Sequence, residues 1–178
     1  MAVNLENASL VLNSRDASLS QDANTNWTWT NINLETVLGQ MYYKYESFNI
    51  CLSFVMSEAN LVDSGITTVN DRNCLINIGG LPWINQTYNA KTNTNGSQTV
   101  IGFVQYPTNT SSSIVSPSFQ SFYVATFTKN CPIVNININM KRIDLSLPTA
   151  TNDFPNMLFL FDIYGVKPLI NLLEHRMK

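Results

Sequence analysis

CPIVNININMKRIDLSLP, residues 131–148, alternates. From Asn135 the order is Asn-Ile-Asn-Ile-Asn-Met, and Ile143, Leu145 and Leu147 carry the pattern past Lys141 and Arg142. A period of two means a β-strand with one apolar face. The opposite face carries Asn135, Asn137 and Asn139, where a water-facing strand usually carries Lys, Glu or Thr and where asparagine is depleted. The fold therefore depends on strands, and the function on what that amide face meets.

Composition sharpens the question. Charged residues make up 12% of the chain, against about 25% in an average domain. Hydrophobic residues stand at 44%, and Asn, Ser and Thr replace the missing charge. Leu, Ile, Val and aromatics occur in patterned runs, which excludes a disordered chain. A neutral polar surface packs against another protein without desolvating ions. It also suits sugars, and AT-rich codon usage yields the same bias toward Asn and Ile.

The chain has 178 residues and a net charge of -2. That length fits one domain, residues 1–178, able to bury about 70% of its unfolded surface. Its core is expected over about 9–166, with a tail at 167–178. No basic block occurs, so no direct nucleic-acid partner is expected. The longest apolar run, MLFLF at 157–161, is a core strand and not a transmembrane segment. MAVNLENASL has neither a basic start nor an apolar stretch, so no signal peptide is expected. Cys51, Cys74 and Cys131 form an odd, sparse set, read as reduced and structural, which favours assembly in a reducing compartment. Sequons begin at Asn7, Asn26, Asn85, Asn95 and Asn109; about that number arises by chance at this Asn content, and they are read as unglycosylated.

Along the chain, SLVLN (9–13) is a first strand, followed by a polar stretch. WTWTNI (27–32) alternates with Trp27 and Trp29 on one face. The period then changes: Leu34, Val37, Leu38, Met41, Tyr42 and Tyr45 share one helical face. One short helix is expected there, with Asn33 as N-cap, Glu35 in the first turn and Gly39 as its weak point. SFNICLSFVM (47–56) returns to period two, with Phe48, Ile50, Leu52, Phe54 and Met56 on one face and Val55 on the other. CLINIGG, PWINQTYN, TVIGFVQY, FQSFYVATFT and MLFLFDIYGV supply further strands, with a turn at Asn95-Gly96. Eight or nine strands this close together leave no room for βαβ crossovers. The expected fold is all-β, a two-sheet antiparallel sandwich of the single jelly-roll kind.

Chemistry is sparse. The only histidine is His175, so a His–His metal pair is impossible, and no G-x-S-x-G elbow or Walker pattern occurs. Asp144 and Asp162 are the strand acids; the first reads as an exposed partner of Arg142, the second as an acid near a strand end bonded to a loop. Neither makes a glycosidase pair. No enzyme, metal or cofactor is expected. Trp27, Trp29, Trp83, Tyr42, Tyr43, Tyr45, Tyr88 and Tyr123 are what a carbohydrate-binding sandwich, the alternative function, would use. The tail, KPLINLLEHRMK, starts a short helix at Pro168, clusters Leu169, Ile170, Leu172 and Leu173, and ends on His175, Arg176 and Lys178. So short a helix must dock, on its own sandwich or on a neighbour.

TWTNINLETVLGQMYYKYESFNICLSFV (28–55), INIGGLPWINQTYN (76–89) and FLFDIYGV (159–166) resemble, in this order, segments of the small single jelly-roll capsid proteins of large icosahedral nucleocytoplasmic double-stranded DNA viruses. The resemblance spans about residues 25 to 165. It implies a structural protein of the virion, assembled in the host cytoplasm: a minor capsid or pentameric vertex component. Its partners would be the major capsid protein, other minor capsid proteins and further copies of itself, with no catalytic residues. On that reading Asn135, Asn137, Asn139, Trp83, Leu169, Ile170, Leu172 and Leu173 are the candidate interface residues. The Asn face would look at a neighbouring subunit or a neighbouring sheet edge.

Overall fold

The computed structural model describes residues 6–21, 25–57, 73–80, 88–89, 94–95, 99–105, 122–142 and 156–166. Its elements are β1 (Asn7–Asn13), a 3-10 turn (Ser14–Asp16), β2 (Leu19–Gln21), β3 (Asn26–Asn33), α1 (Leu34–Leu38), α2 (Gln40–Lys44), β4 (Ser47–Ser57) and β5 (Asn73–Gly79). There follow β6 (Tyr88–Asn89), β7 (Thr94–Asn95), β8 (Thr99–Gln105), β9 (Phe122–Thr128), β10 (Ile133–Arg142) and β11 (Met157–Val166). The expected all-β antiparallel sandwich is present. One sheet has the order β1-β11-β4-β9 and the other β2-β3-β10-β5-β8, while β6 and β7 pair with each other alone.

The eight long strands pair in a nested way. The first, β1, pairs with the last, β11; β3 pairs with β10, β4 with β9 and β5 with β8, all antiparallel. Alternating side chains turn one face of each sheet inward. From β10 these are Val134, Ile136, Ile138 and Met140; from β11, Met157, Phe159, Phe161 and Ile163. Phe159 joins the two sheets: its ring lies 5.5 Å from Trp27 and 6.0 Å from Trp29, tilted and edge-on. The Trp29 indole N–H donates to the Asn13 carbonyl at 3.0 Å, so this buried polar atom is satisfied.

Three details differ from the sequence reading. The single helix is two one-turn helices broken at Gly39, whose φ of 53° and ψ of -126° suit only glycine. The apolar face survives the break: Leu34, Leu38 and Met41 are buried, and Val37, Tyr42 and Tyr45 pack against the core. Asn33 does cap α1, accepting from the Thr36 N–H at 3.3 Å. Second, Phe54 and Met56 are not inside. Ser53 is an extra residue in β4, opposite the step from Leu160 to Phe161. This bulge shifts the phase, so Val55 is buried and Phe54 and Met56 turn outward. Third, β2 lies in what the sequence shows only as a polar stretch; of its side chains Leu19 stands 50% exposed, so no apolar pattern announces it. Asn95 belongs to β7, and the continuation of β10 through Ile143, Leu145 and Leu147 lies outside the described residues, as does Asp144.

Candidate functional site

Among the candidate interface residues, Asn135, Asn137 and Asn139 can be placed; Trp83, Leu169, Ile170, Leu172 and Leu173 lie outside the described residues. The three amides share the outer face of the five-stranded sheet, yet each has a different task. Asn135 is exposed and faces a bulge in β3, where the register slips by one residue between Val134 and Ile136. The extra residue there is left-handed Asn31, at φ 58°, a conformation asparagine tolerates. The Asn31 N–H, turned out of the ladder, donates to Asn135 Oδ1 at 2.9 Å. Asn137 is half-buried, and its Nδ2 points at Asn26 Oδ1 (2.8 Å), Thr28 Oγ1 (2.9 Å) and the Trp27 carbonyl (3.1 Å). Two protons serve three acceptors, so one hydrogen bond is shared. Asn139 is only 3% exposed and stands directly across from Asn77, 5% exposed. The amide face therefore does not look at plain water: two of its members are engaged with β3, and the third is buried beside another amide.

The outer face of the four-stranded sheet is organised in rows across the strands. Asn7, Tyr164, Asn49 and Thr126 form one row, with Thr126 Oγ1 donating to Asn49 Oδ1 at 2.6 Å. Ser9, Asp162 and Cys51 form the next. Asp162 is in mid-strand, not at a loop, and accepts from Ser9 Oγ at 3.2 Å and from Ser53 Oγ. Burial first, and the Asp162 carboxylate second, push the Cys51 thiol above its ordinary pKa, and the same two causes raise Tyr164. Cys51 is thus held as a thiol, the inert form. The following rows are apolar: Val11, Leu160 and Phe54, then Leu158 and Met56 beside Asn13. Val11 is 53% exposed, and the other four apolar side chains are half-buried. A shallow pocket of about 190 Å³ adjoins this end, with Met56, Leu158, Asn13 and Arg15 in its lining.

The aromatic candidates for a sugar-binding face fall mostly elsewhere. Trp27 and Trp29 are core residues. Tyr42 stacks on Phe48 and donates to the Lys129 carbonyl at 2.6 Å, and Tyr45 meets Phe48 edge-on. Tyr43 is exposed, and its hydroxyl donates to Glu35. Trp83 and the side chains of Tyr88 and Tyr123 lie outside the described residues. Cys51 and Cys131 are free thiols. Among the described residues no group of three or more His, Cys, Asp or Glu could hold a metal ion, and no helix is long and apolar enough to cross a membrane. No family model, curated protein or solved structure matches the chain.

Proposed function

We propose that the sandwich is a single jelly roll and that the chain is a structural component of an icosahedral viral capsid. It would act in the virion as a minor capsid protein or pentameric vertex component, binding neighbouring capsid proteins. The observation that carries this reading is the nested pairing of β1 with β11, β3 with β10, β4 with β9 and β5 with β8. One long hairpin rolled into two facing sheets, as in a jelly roll, would give that pattern, and this supports the reading. The ordered resemblance of residues 28–55, 76–89 and 159–166 to capsid proteins supports it. So does a chain only 12% charged, whose four-stranded sheet presents hydroxyls, amides and apolar side chains outward around one carboxylate. Such a face is buried against protein without desolvating many ions. Because one fold hosts many functions, the test addresses assembly. Sedimentation velocity over a concentration series should find the purified chain as a pentamer or larger assembly. A monodisperse monomer throughout refutes the reading, and glycan-array binding by that monomer favours the carbohydrate-binding alternative.

A further inference from the structure

We propose that the apolar half of the outer face of the four-stranded sheet receives the segment KPLINLLEHRMK, residues 167–178, of a second copy of the chain. The inference rests on the assembly reading and names the partner of one face. That apolar half is a product of backbone geometry. Strict alternation would bury Phe54 and Met56; the extra residue Ser53 instead turns both outward, beside Leu158, Leu160 and Val11. Bulges re-aim side chains in this way at functional surfaces. The result is a contiguous apolar block of five side chains, ending at the 190 Å³ pocket that Met56 and Leu158 help to line.

The polar end of the block carries a single charge. Among the described residues in these rows, Asp162 is the one acidic side chain, held by the Ser9 and Ser53 hydroxyls with no described Lys or Arg against it, while Arg15 lies at the far end of the block, in the pocket lining. The occupant that complements this arrangement is a segment with several aliphatic side chains and a cation close by in sequence. Residues 167–178 have that chemistry: Leu169, Ile170, Leu172 and Leu173, then Arg176 and Lys178. Arg suits the role especially, since its fork can take both oxygens of a carboxylate. A cationic aliphatic strip against an aliphatic face with one carboxylate gives both the apolar burial and the charge match that a specific contact needs.

The test uses the full chain. Sedimentation velocity at near-physiological salt is measured for wild type, Leu160→Thr, Asp162→Lys, and Asp162→Lys combined with Arg176→Glu, with a thermal melt of each. Leu160→Thr alters an outward-facing side chain and should melt close to wild type; Asp162→Lys also gives up the bonds from Ser9 and Ser53 and should melt lower while remaining folded. Each should weaken self-association tenfold or more, and Arg176→Glu should restore association in the Asp162→Lys background. If wild type does not self-associate, the assembly reading fails and this inference with it. If wild type associates and the single variants associate equally well, this inference alone fails. It also fails if Arg176→Glu gives no rescue, or if it rescues the melting temperature and not association, because the segment then lies on its own domain. Should Asp162→Lys not fold, Leu160→Thr against Leu172→Ser decides: loss of association in both supports the contact, and loss in neither overturns it.

Discussion

Gly165 sits near the end of β11, opposite Phe48 of β4, and a methyl group there would lie within 2.6 Å of three atoms of the Tyr45 ring. Tyr45 follows α2, with its N–H bonded to the Met41 carbonyl at 3.3 Å and its ring edge-on to Phe48 at 6.3 Å. The perturbation is Gly165→Ala. Overpacking of this kind costs about 1–3 kcal/mol, while replacing a strand glycine by alanine returns about 0.5–1 kcal/mol. The ring can also escape by leaving Phe48, so the clash cannot cost much more than losing the ring's packing. For a half-buried tyrosine that loss is below the roughly 3–5 kcal/mol of a fully buried aromatic, and about 2 kcal/mol is a reasonable ceiling for Gly165→Ala. With Tyr45→Ala in the same chain the added methyl meets no ring. The double variant should then be about as stable as Tyr45→Ala alone, a favourable coupling of about 1–2 kcal/mol. Urea denaturation followed by the fluorescence of buried Trp27 and Trp29 measures all four corners of the cycle. Additivity within about 0.5 kcal/mol would refute the argument that Gly165 is required by the ring.

Gly39→Ala should destabilise by about 1–3 kcal/mol despite alanine's helix propensity: nothing stands within 4 Å of the added carbon, so the cost is backbone strain at φ 53°. A stabilised variant in the same urea assay would mean that the two short helices are free to merge. Asn137→Ala removes two donated protons from a half-buried site and should cost about 1–2 kcal/mol, whereas Asn135→Ala, exposed and accepting one bond, should cost about half as much. Equal effects would contradict the division of labour among the amides. In native protein, exposed Cys131 should be alkylated well before half-buried Cys51. The labelling rate of Cys51 should rise with pH at a midpoint above that of a free thiol, because its raised pKa keeps the proton on. Asp162→Asn should lower that midpoint only in part, since burial is the larger cause; labelling of Cys51 at pH 8 as fast as in denatured protein would overturn this account.

The strands were legible wherever one phase of the alternation was apolar and the other polar. Residues 133–142 became β10, with its inward residues where period two puts them; residues 157–166 became β11, but Leu158 and Leu160 make both its phases apolar, and what reads as a strand buried on both faces has its second face only half-buried. In β4 the pattern misled, because Phe54, Val55 and Met56 are apolar on both phases and hydropathy cannot choose between them. The choice is made by the bulge at Ser53, which depends on pairing with β11, a strand a hundred residues away. The helical face was legible from its period, but the break at Gly39 was visible only as a weakness. The amide face posed the right question, yet its partners Asn26, Thr28 and Asn31 belong to β3 and come into reach only through the β3–β10 register. The apolar block of the other sheet showed in sequence only as the doubled apolar phases of MLFLF (157–161), since it is composed of β1, β4 and β11 side by side.

Nested pairing also sets the order in which the chain can fold. Of the four nested pairs, β5 with β8 is the nearest in sequence and closes the shortest loop, so it forms at the smallest entropic cost among them. Once it stands, β4 with β9 and then β3 with β10 close only the additional chain between them. β1 waits longest: Leu10 and Leu12 find Phe161 and Phe159 only when both ends of the sequence meet. Contacts this distant make for slow refolding, on the order of milliseconds to seconds. At the ribosome the delay is longer, because β1 emerges before β11, which is made on the order of ten seconds later. During that interval the neutral strand NASLVLN, with no Lys, Glu or Pro to discourage strangers, is an unpaired edge. Yield on expression should therefore depend on how well β1 is shielded until β11 arrives, and slower translation should lower it.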